Sequence, residues 1–190
     1  MLFENRKNLK PYEYPELIDY VKAMRKSHRL VEERTFASDI WDFNNKVKEH
    51  ERECIRRCFL AISQIEIAPK TFRPQIYERF PKPEIWMVWV TFWESEVRHL
   101  DAYSHLLDLL WLQWDFENLI EVPCIKKRIE YLNKSIANTR GMTNEEYVRA
   151  LILFSLLIEW VSLFGQFLIM QSFKEYRNLF NDINATVWAT

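Results

Sequence analysis

Apolar positions recur at helical spacing over most of this chain. Pro15 can open a first helix, Glu16 to about Arg29, with Leu17, Val21 and Met24 on one face. Leu30 to Asn45 is mixed, and Ser38-Asp39 offers turn or capping chemistry there. A second helix is predicted from about Lys46 to Ile67, with Ile55, Phe59, Ile62 and Glu66 on one stripe. Pro69, Pro74, Pro81 and Pro83 then interrupt the pattern, with room for a short helix between Arg73 and Phe80. A third helix is predicted from Pro83 to about Leu112. Pro123 can open a fourth, Cys124 to Thr139, with Gly141 placed to cap it. Thr143 and Glu146 form a capping-box pair for a fifth helix running to about Phe173, and Glu175 to Asn184 continues as helix or loop. Without an internal repeat or a low-complexity linker, the pattern predicts one helical domain over residues 1–190.

Composition narrows the class. Only two glycines, Gly141 and Gly165, occur among 190 residues, which argues against hairpin-rich β folds and glycine loops that cradle phosphates. An apolar content of 48% supplies a sizeable core. A net charge of −1 gives no electrostatic case for nucleic acid or an anionic membrane. Leu151 to Phe173 is the one stretch with membrane-like length, but Glu159 sits near its centre. A carboxylate there costs ~2.5–3.5 kcal/mol on insertion scales, so the expected place for this helix is the buried centre of a bundle. Cys54, Cys58 and Cys124 are odd in number and lack C-x-x-C spacing, which fits packed thiols in a reducing cytoplasm. The amino terminus lacks the apolar core of a signal peptide.

The chemistry concentrates in three helices. Glu96 and His99 lie three apart, so they share a helical face, which continues through Tyr103. Glu-x-x-His is the spacing by which carboxylate-bridged dimetal bundles draw a bridging oxygen and a terminal nitrogen from one helix. Glu66 and Glu159 are each a single acid in an otherwise apolar run. A buried, unpaired carboxylate is costly, and a metal cluster accounts for both acids together with the Glu-His pair. The competing account is that they pair with Arg or Tyr in a core. A complete bundle site also requires a second Glu-x-x-His, and no histidine follows His105.

Phe92-Trp-Glu-Ser-Glu-Val-Arg-His-Leu-Asp-Ala-Tyr resembles the metal-and-radical helix of the small subunit of class I ribonucleotide reductase. The resemblance extends to Lys48-Glu-His-Glu-Arg and the apolar run to Glu66. It continues in Leu153-Phe-Ser-Leu-Leu-Ile-Glu-Trp-Val and in His28-Arg-Leu-Val-Glu-Glu with Phe36-Ala-Ser-Asp. It implies an all-α, ferritin-like bundle with Glu66, Glu96, His99 and Glu159 as metal ligands and Tyr103 as the radical-bearing residue. The family's first ligand is usually Asp, so Glu66 is a departure. Arg29 stands where the family usually has a relaying Trp; either another residue such as Trp41 relays the radical, or long-range transfer is lost.

The resemblance further implies a dinuclear centre (Fe/Fe, Mn/Mn or Mn/Fe), a catalytic large subunit as partner, and a homo- or hetero-oligomer. Asn184-Ala-Thr-Val-Trp-Ala-Thr190 resembles the lead-in to the second Glu-x-x-His. The expectation is a split small subunit, in which a second polypeptide carries the missing Glu and His. The alternatives are an inactive helical remnant acting as an assembly partner and a fragment with no independent role. A different class with the same ligand pattern is a ferritin-like dimetal oxidase or oxygenase that needs no large subunit.

Overall fold

The structure, a computed structural model, describes residues 2–66, 75–136 and 139–189. Those residues form helices and connecting turns, with no strand among them. The helices are α1 (Glu16–Lys26), α2 (Ala37–Asn45), α3 (Glu49–Ile65), α4 (Gln75–Arg79), α5 (Pro83–Leu109), α6 (Phe116–Ile120), α7 (Pro123–Ile136), α8 (Asn144–Leu153), α9 (Phe164–Arg177) and α10 (Asn181–Ala189). Residues Phe154–Leu163 join α8 to α9 as a π-helical segment.

The stripe predicted on α3 is the centre of the core. Ile55, Phe59 and Ile62 are buried, and Glu66 closes the helix at the end of the same stripe. α3 packs against α5 on one side and against α9 and the π segment on another, while α1 lies along α5 through Val21. Residues 30–45, read from sequence as mixed, contain a 3-10 turn at Val31–Glu33 and then α2. α2 begins after Phe36, which holds a left-handed backbone (φ 52°). That conformation costs a non-glycine residue roughly 1 kcal/mol or more. Complete burial of the Phe36 ring, 5.8 Å from the His105 ring, offsets it.

Long-range polar contacts fix the ends of the elements. Asp39 on α2 is buried, and its Oδ2 accepts the Ile183 N–H at 2.6 Å, supplying the first turn of α10 with an acceptor from another helix. The amino-terminal segment is held on α5 by Glu84. This carboxylate is fully buried and accepts from the Glu13 and Tyr14 N–H groups and from Arg6 at 2.7 Å. Lys82, also buried, donates to Glu13. The predicted capping box opens α8: the Thr143 N–H donates to Glu146 Oε2 and Thr143 Oγ1 accepts the Glu146 N–H.

Several expectations are corrected. α1 ends at Lys26 and α5 at Leu109, each about one turn early. α7 is described as far as Ile136, and Gly141 belongs to a separate 3-10 turn, Thr139–Gly141. Ile67, Pro69, Arg73 and Pro74 lie outside the described residues. The stretch Leu151–Phe173 is not a helix buried on all sides. Phe154, Leu163 and Met170 are buried, whereas Leu156, Leu157, Trp160, Val161, Phe164 and Leu168 are exposed. The π segment and α9 both pack against α3, and α9 also packs against α10. No helix among the described residues is long and apolar enough to cross a membrane.

Candidate metal centre

α3 and α5 bring three of the predicted ligands into one place. Glu66 stands at the carboxyl end of α3, and Glu96 and His99 occupy successive turns of α5. His99 Nδ1 lies 3.7 Å from Glu66 Oε2 and 3.8 Å from Glu96 Oε1. One ligand atom from each of the three side chains falls within 4.8 Å of the other two, and this is the one such group of His, Cys, Asp or Glu among the described residues. The cluster faces a cavity of about 370 Å3, also lined by Phe92, Tyr103, Trp160, Leu163, Phe164, Phe167 and Val187.

The electrostatics are unfavourable for two bare carboxylates. Burial, followed by the neighbouring Glu66 carboxylate, pushes the Glu96 carboxyl up to about 7, against a smaller downward pull from His99. Glu96 Oε2 and His99 Nε2 are both buried without a hydrogen-bond partner among the described residues. An orphaned buried polar atom costs ~1–3 kcal/mol, so two in one cluster need a compensating group. A cation provides one. Two carboxylates and an imidazole are the hard and borderline donors that suit iron or manganese. The residues present therefore fit a metal ion.

Tyr103 follows His99 by one turn and is 2% exposed. Glu159 lies on the π-helical segment; its side chain lies outside those described. A π turn shifts the register of every later side chain, and such distortions recur at functional sites. The next residue, Trp160, lines the cavity. The cavity walls from α9 and α10 (Phe164, Phe167, Val187) were not picked out from the sequence. The signal available was the helical step from Trp160 to Phe164 and Phe167. Trp41 does not line this cavity; it is exposed, with the Lys46 ammonium 5.1 Å from its ring centre. Arg29 is exposed, and its carbonyl accepts from Arg98 beside His99.

The chain carries two buried carboxylates and a histidine on adjacent helices of an all-α frame, the kind of arrangement from which ferritin-like carboxylate proteins build a metal site. The family model for the ribonucleotide reductase small chain matches residues 6–187, and the chain belongs to that family. Its relatives include proteins named as probable ribonucleoside-diphosphate reductase small subunits. One, 048L of Invertebrate iridescent virus 3, is 24% identical over 92% of this chain; another, 376L of Invertebrate iridescent virus 6, is 26% identical over 90%. The chain spans about half the length of these curated relatives, 50% and 51%.

Among solved structures, the ribonucleotide reductase R2 subunit from Clostridium botulinum superposes with a TM-score of 0.77 at 15% identity. The match covers 93% of this chain and 59% of that one. A class I ribonucleotide reductase candidate from Bacillus halodurans gives 0.75 at 17% identity, covering 92% and 66%. At these identities the likeness shows the fold, which is the all-α, ferritin-like one expected from the sequence.

Proposed function

We propose that this chain forms one half of the metal and radical site of a class I ribonucleotide reductase small subunit. The observation that carries the reading is the buried Glu66–Glu96–His99 cluster with its two orphaned ligand atoms, one turn from the buried Tyr103. In this reading Glu66, Glu96, His99 and Glu159 hold a dinuclear iron or manganese centre. The second Glu-x-x-His comes from outside these 190 residues. When bound, the centre supplies one-electron oxidising power at the cavity.

The chain's own residues have separate tasks. Glu66 and Glu96 supply negative charge that offsets a cation, and a bound cation relieves the repulsion that raises Glu96. His99 offers an imidazole nitrogen, with Glu66 and Glu96 beside its other ring nitrogen. Phe92, Leu163, Phe164 and Phe167 line the cavity beside the cluster with apolar surface. Tyr103 gives up an electron and its phenolic proton and remains as a tyrosyl radical. The oxidising equivalent then passes to a catalytic large subunit in the cytoplasm, where ribonucleotides are reduced.

Electron paramagnetic resonance tests the radical assignment. The chain combined with a polypeptide carrying the second Glu-x-x-His, loaded with iron or manganese and exposed to oxygen, is expected to show a tyrosyl signal. Tyr103→Phe removes that signal with less than about 1.5 kcal/mol change in stability, because the ring volume is kept. An unchanged signal in Tyr103→Phe overturns the assignment of Tyr103.

A further inference from the structure

The residue that closes α5 is poorly suited to its own backbone. Trp111 is left-handed (φ 57°), with its N–H donating to the Asp108 carbonyl and the Leu112 N–H donating to the Leu107 carbonyl at 2.8 Å. This pair of bonds ends a helix on a left-handed residue, where glycine is favoured because a Cβ is strained. Phe36 and Phe180 hold the same backbone, and complete burial of their rings offsets the strain. Nothing of the kind offsets it at Trp111, which is 78% exposed. Trp114, three residues on, is 81% exposed. Leu112 between them is buried, and Arg56 pairs with Asp115 beside them, so the turn that carries the two indoles is fixed to the body of the chain.

The charge around the turn is one-sided. Residues 100–122 include five acids, Asp101, Asp108, Asp115, Glu117 and Glu121, and no Lys or Arg. Arg56 and Lys126 pair with Asp115 and Glu121, whereas Asp101 and Asp108 are exposed and have no ion pair among the described residues. Unpaired acids beside two indoles disfavour both a second copy of the same surface and an anionic membrane. They favour a cation that stacks on aromatic faces. The guanidinium suits best, because it is planar and weakly hydrated.

We propose that the turn at residues 110–115 is a docking surface for an arginine-rich segment of another protein. Guanidinium groups of the partner lie over the faces of Trp111 and Trp114, and a neighbouring arginine pairs with Asp108. The strained tryptophan is then kept for binding, where glycine would serve the isolated chain better.

The test is a titration of the full chain, isotope-labelled at its tryptophans, with an octa-arginine peptide at low salt, read from the indole N–H signals by nuclear magnetic resonance. The signals of Trp111 and Trp114, assigned from Trp111→Gly and Trp114→Ser, are expected to move ahead of those of the other tryptophans. The double variant Trp111→Gly/Trp114→Ser should bind about 10-fold more weakly, through loss of two stacked cations. Asp108→Asn should weaken binding about 3-fold and reduce its salt dependence. Trp111→Gly by itself should raise Tm by about 2–4 °C, because the left-handed residue no longer carries a Cβ. Binding that the double variant retains, or equal movement of all the indole signals, overturns the proposal. So does a lowered Tm in Trp111→Gly, or a larger response of the two signals to phosphatidylserine vesicles than to the peptide. The measurement needs no bound metal, so it stands or falls apart from the radical reading.

Discussion

Glu96→Gln is expected to make the metal-free chain more stable at pH 8 while weakening its hold on metal. In the folded chain, burial and the Glu66 carboxylate raise the Glu96 carboxyl from 4.5 to about 7. A carboxyl whose folded pKa is raised favours folding when protonated. The penalty is absent below about pH 4.5, grows between 4.5 and 7, and is complete above 7. That rise amounts to about 3 kcal/mol on the scale of 1.36 kcal/mol per unit. Glutamine keeps the volume, carries no charge, and can donate to Glu66, so the variant should recover about 2–3 kcal/mol at pH 8. For a chain of this size that raises Tm by about 5–10 °C. At pH 4.5 the two proteins should unfold alike. The assay is urea or thermal unfolding in the presence of a chelator at both pH values. A variant no more stable than the parent at pH 8, or one with an equal advantage at both pH values, refutes the reasoning. Adding manganese should reverse the order, because only the parent gains a ligand-linked stabilisation.

Two further perturbations test the frame that holds the site. Asp39→Ala removes the acceptor of the Ile183 N–H at the start of α10, and should cost about 1–2 kcal/mol. Hydrogen exchange should speed up in Asn181–Ala189 first; uniform exchange across all helices would contradict the capping role. At Glu84, burial opposes ionisation, but N–H donors from its own helix, Glu13 and Tyr14, with Arg6, hold the carboxyl below the usual range. A lowered folded pKa gives stability that is present above the ordinary carboxylate pKa and lost as pH falls through the folded value. Acid should therefore release the segment before α1 from α5, seen as proteolysis among residues 2–15, and Glu84→Gln should release it at neutral pH. Equal protection of that segment in parent and variant would argue against the Glu84 contacts as its attachment.

Much of the frame was legible because it is periodic. The α3 stripe of Ile55, Phe59, Ile62 and Glu66, the Glu96–His99–Tyr103 face of α5 and the Thr143–Glu146 box all follow from spacing on one helix. Contacts between distant residues were not legible: Asp39 with Ile183 and Arg6 with Glu84 join segments 144 and 78 residues apart. The π segment was hidden because a largely apolar run such as Phe154–Leu163, broken only by Ser155, Glu159 and Ser162, carries little phase against which a register shift can be read. For the same reason, continuous apolarity around Leu156, Trp160 and Phe164 suggested burial on all sides, whereas the structure leaves their outer face exposed. The convergence of Glu66 on His99 required the packing of α3 on α5, which no local pattern encodes.

Metal binding by the parent chain and by His99→Ala tests the central claim most directly. Both are freed of metal, offered manganese or iron(II), and assayed by elemental analysis after gel filtration, alone and with a polypeptide bearing the second Glu-x-x-His. The account predicts stoichiometric metal in the parent and an affinity at least about 100-fold weaker in His99→Ala, since loss of even an outer partner of a metal ligand costs 10–100-fold. Absence of metal from the parent in both preparations, or equal binding by the two proteins, would contradict it.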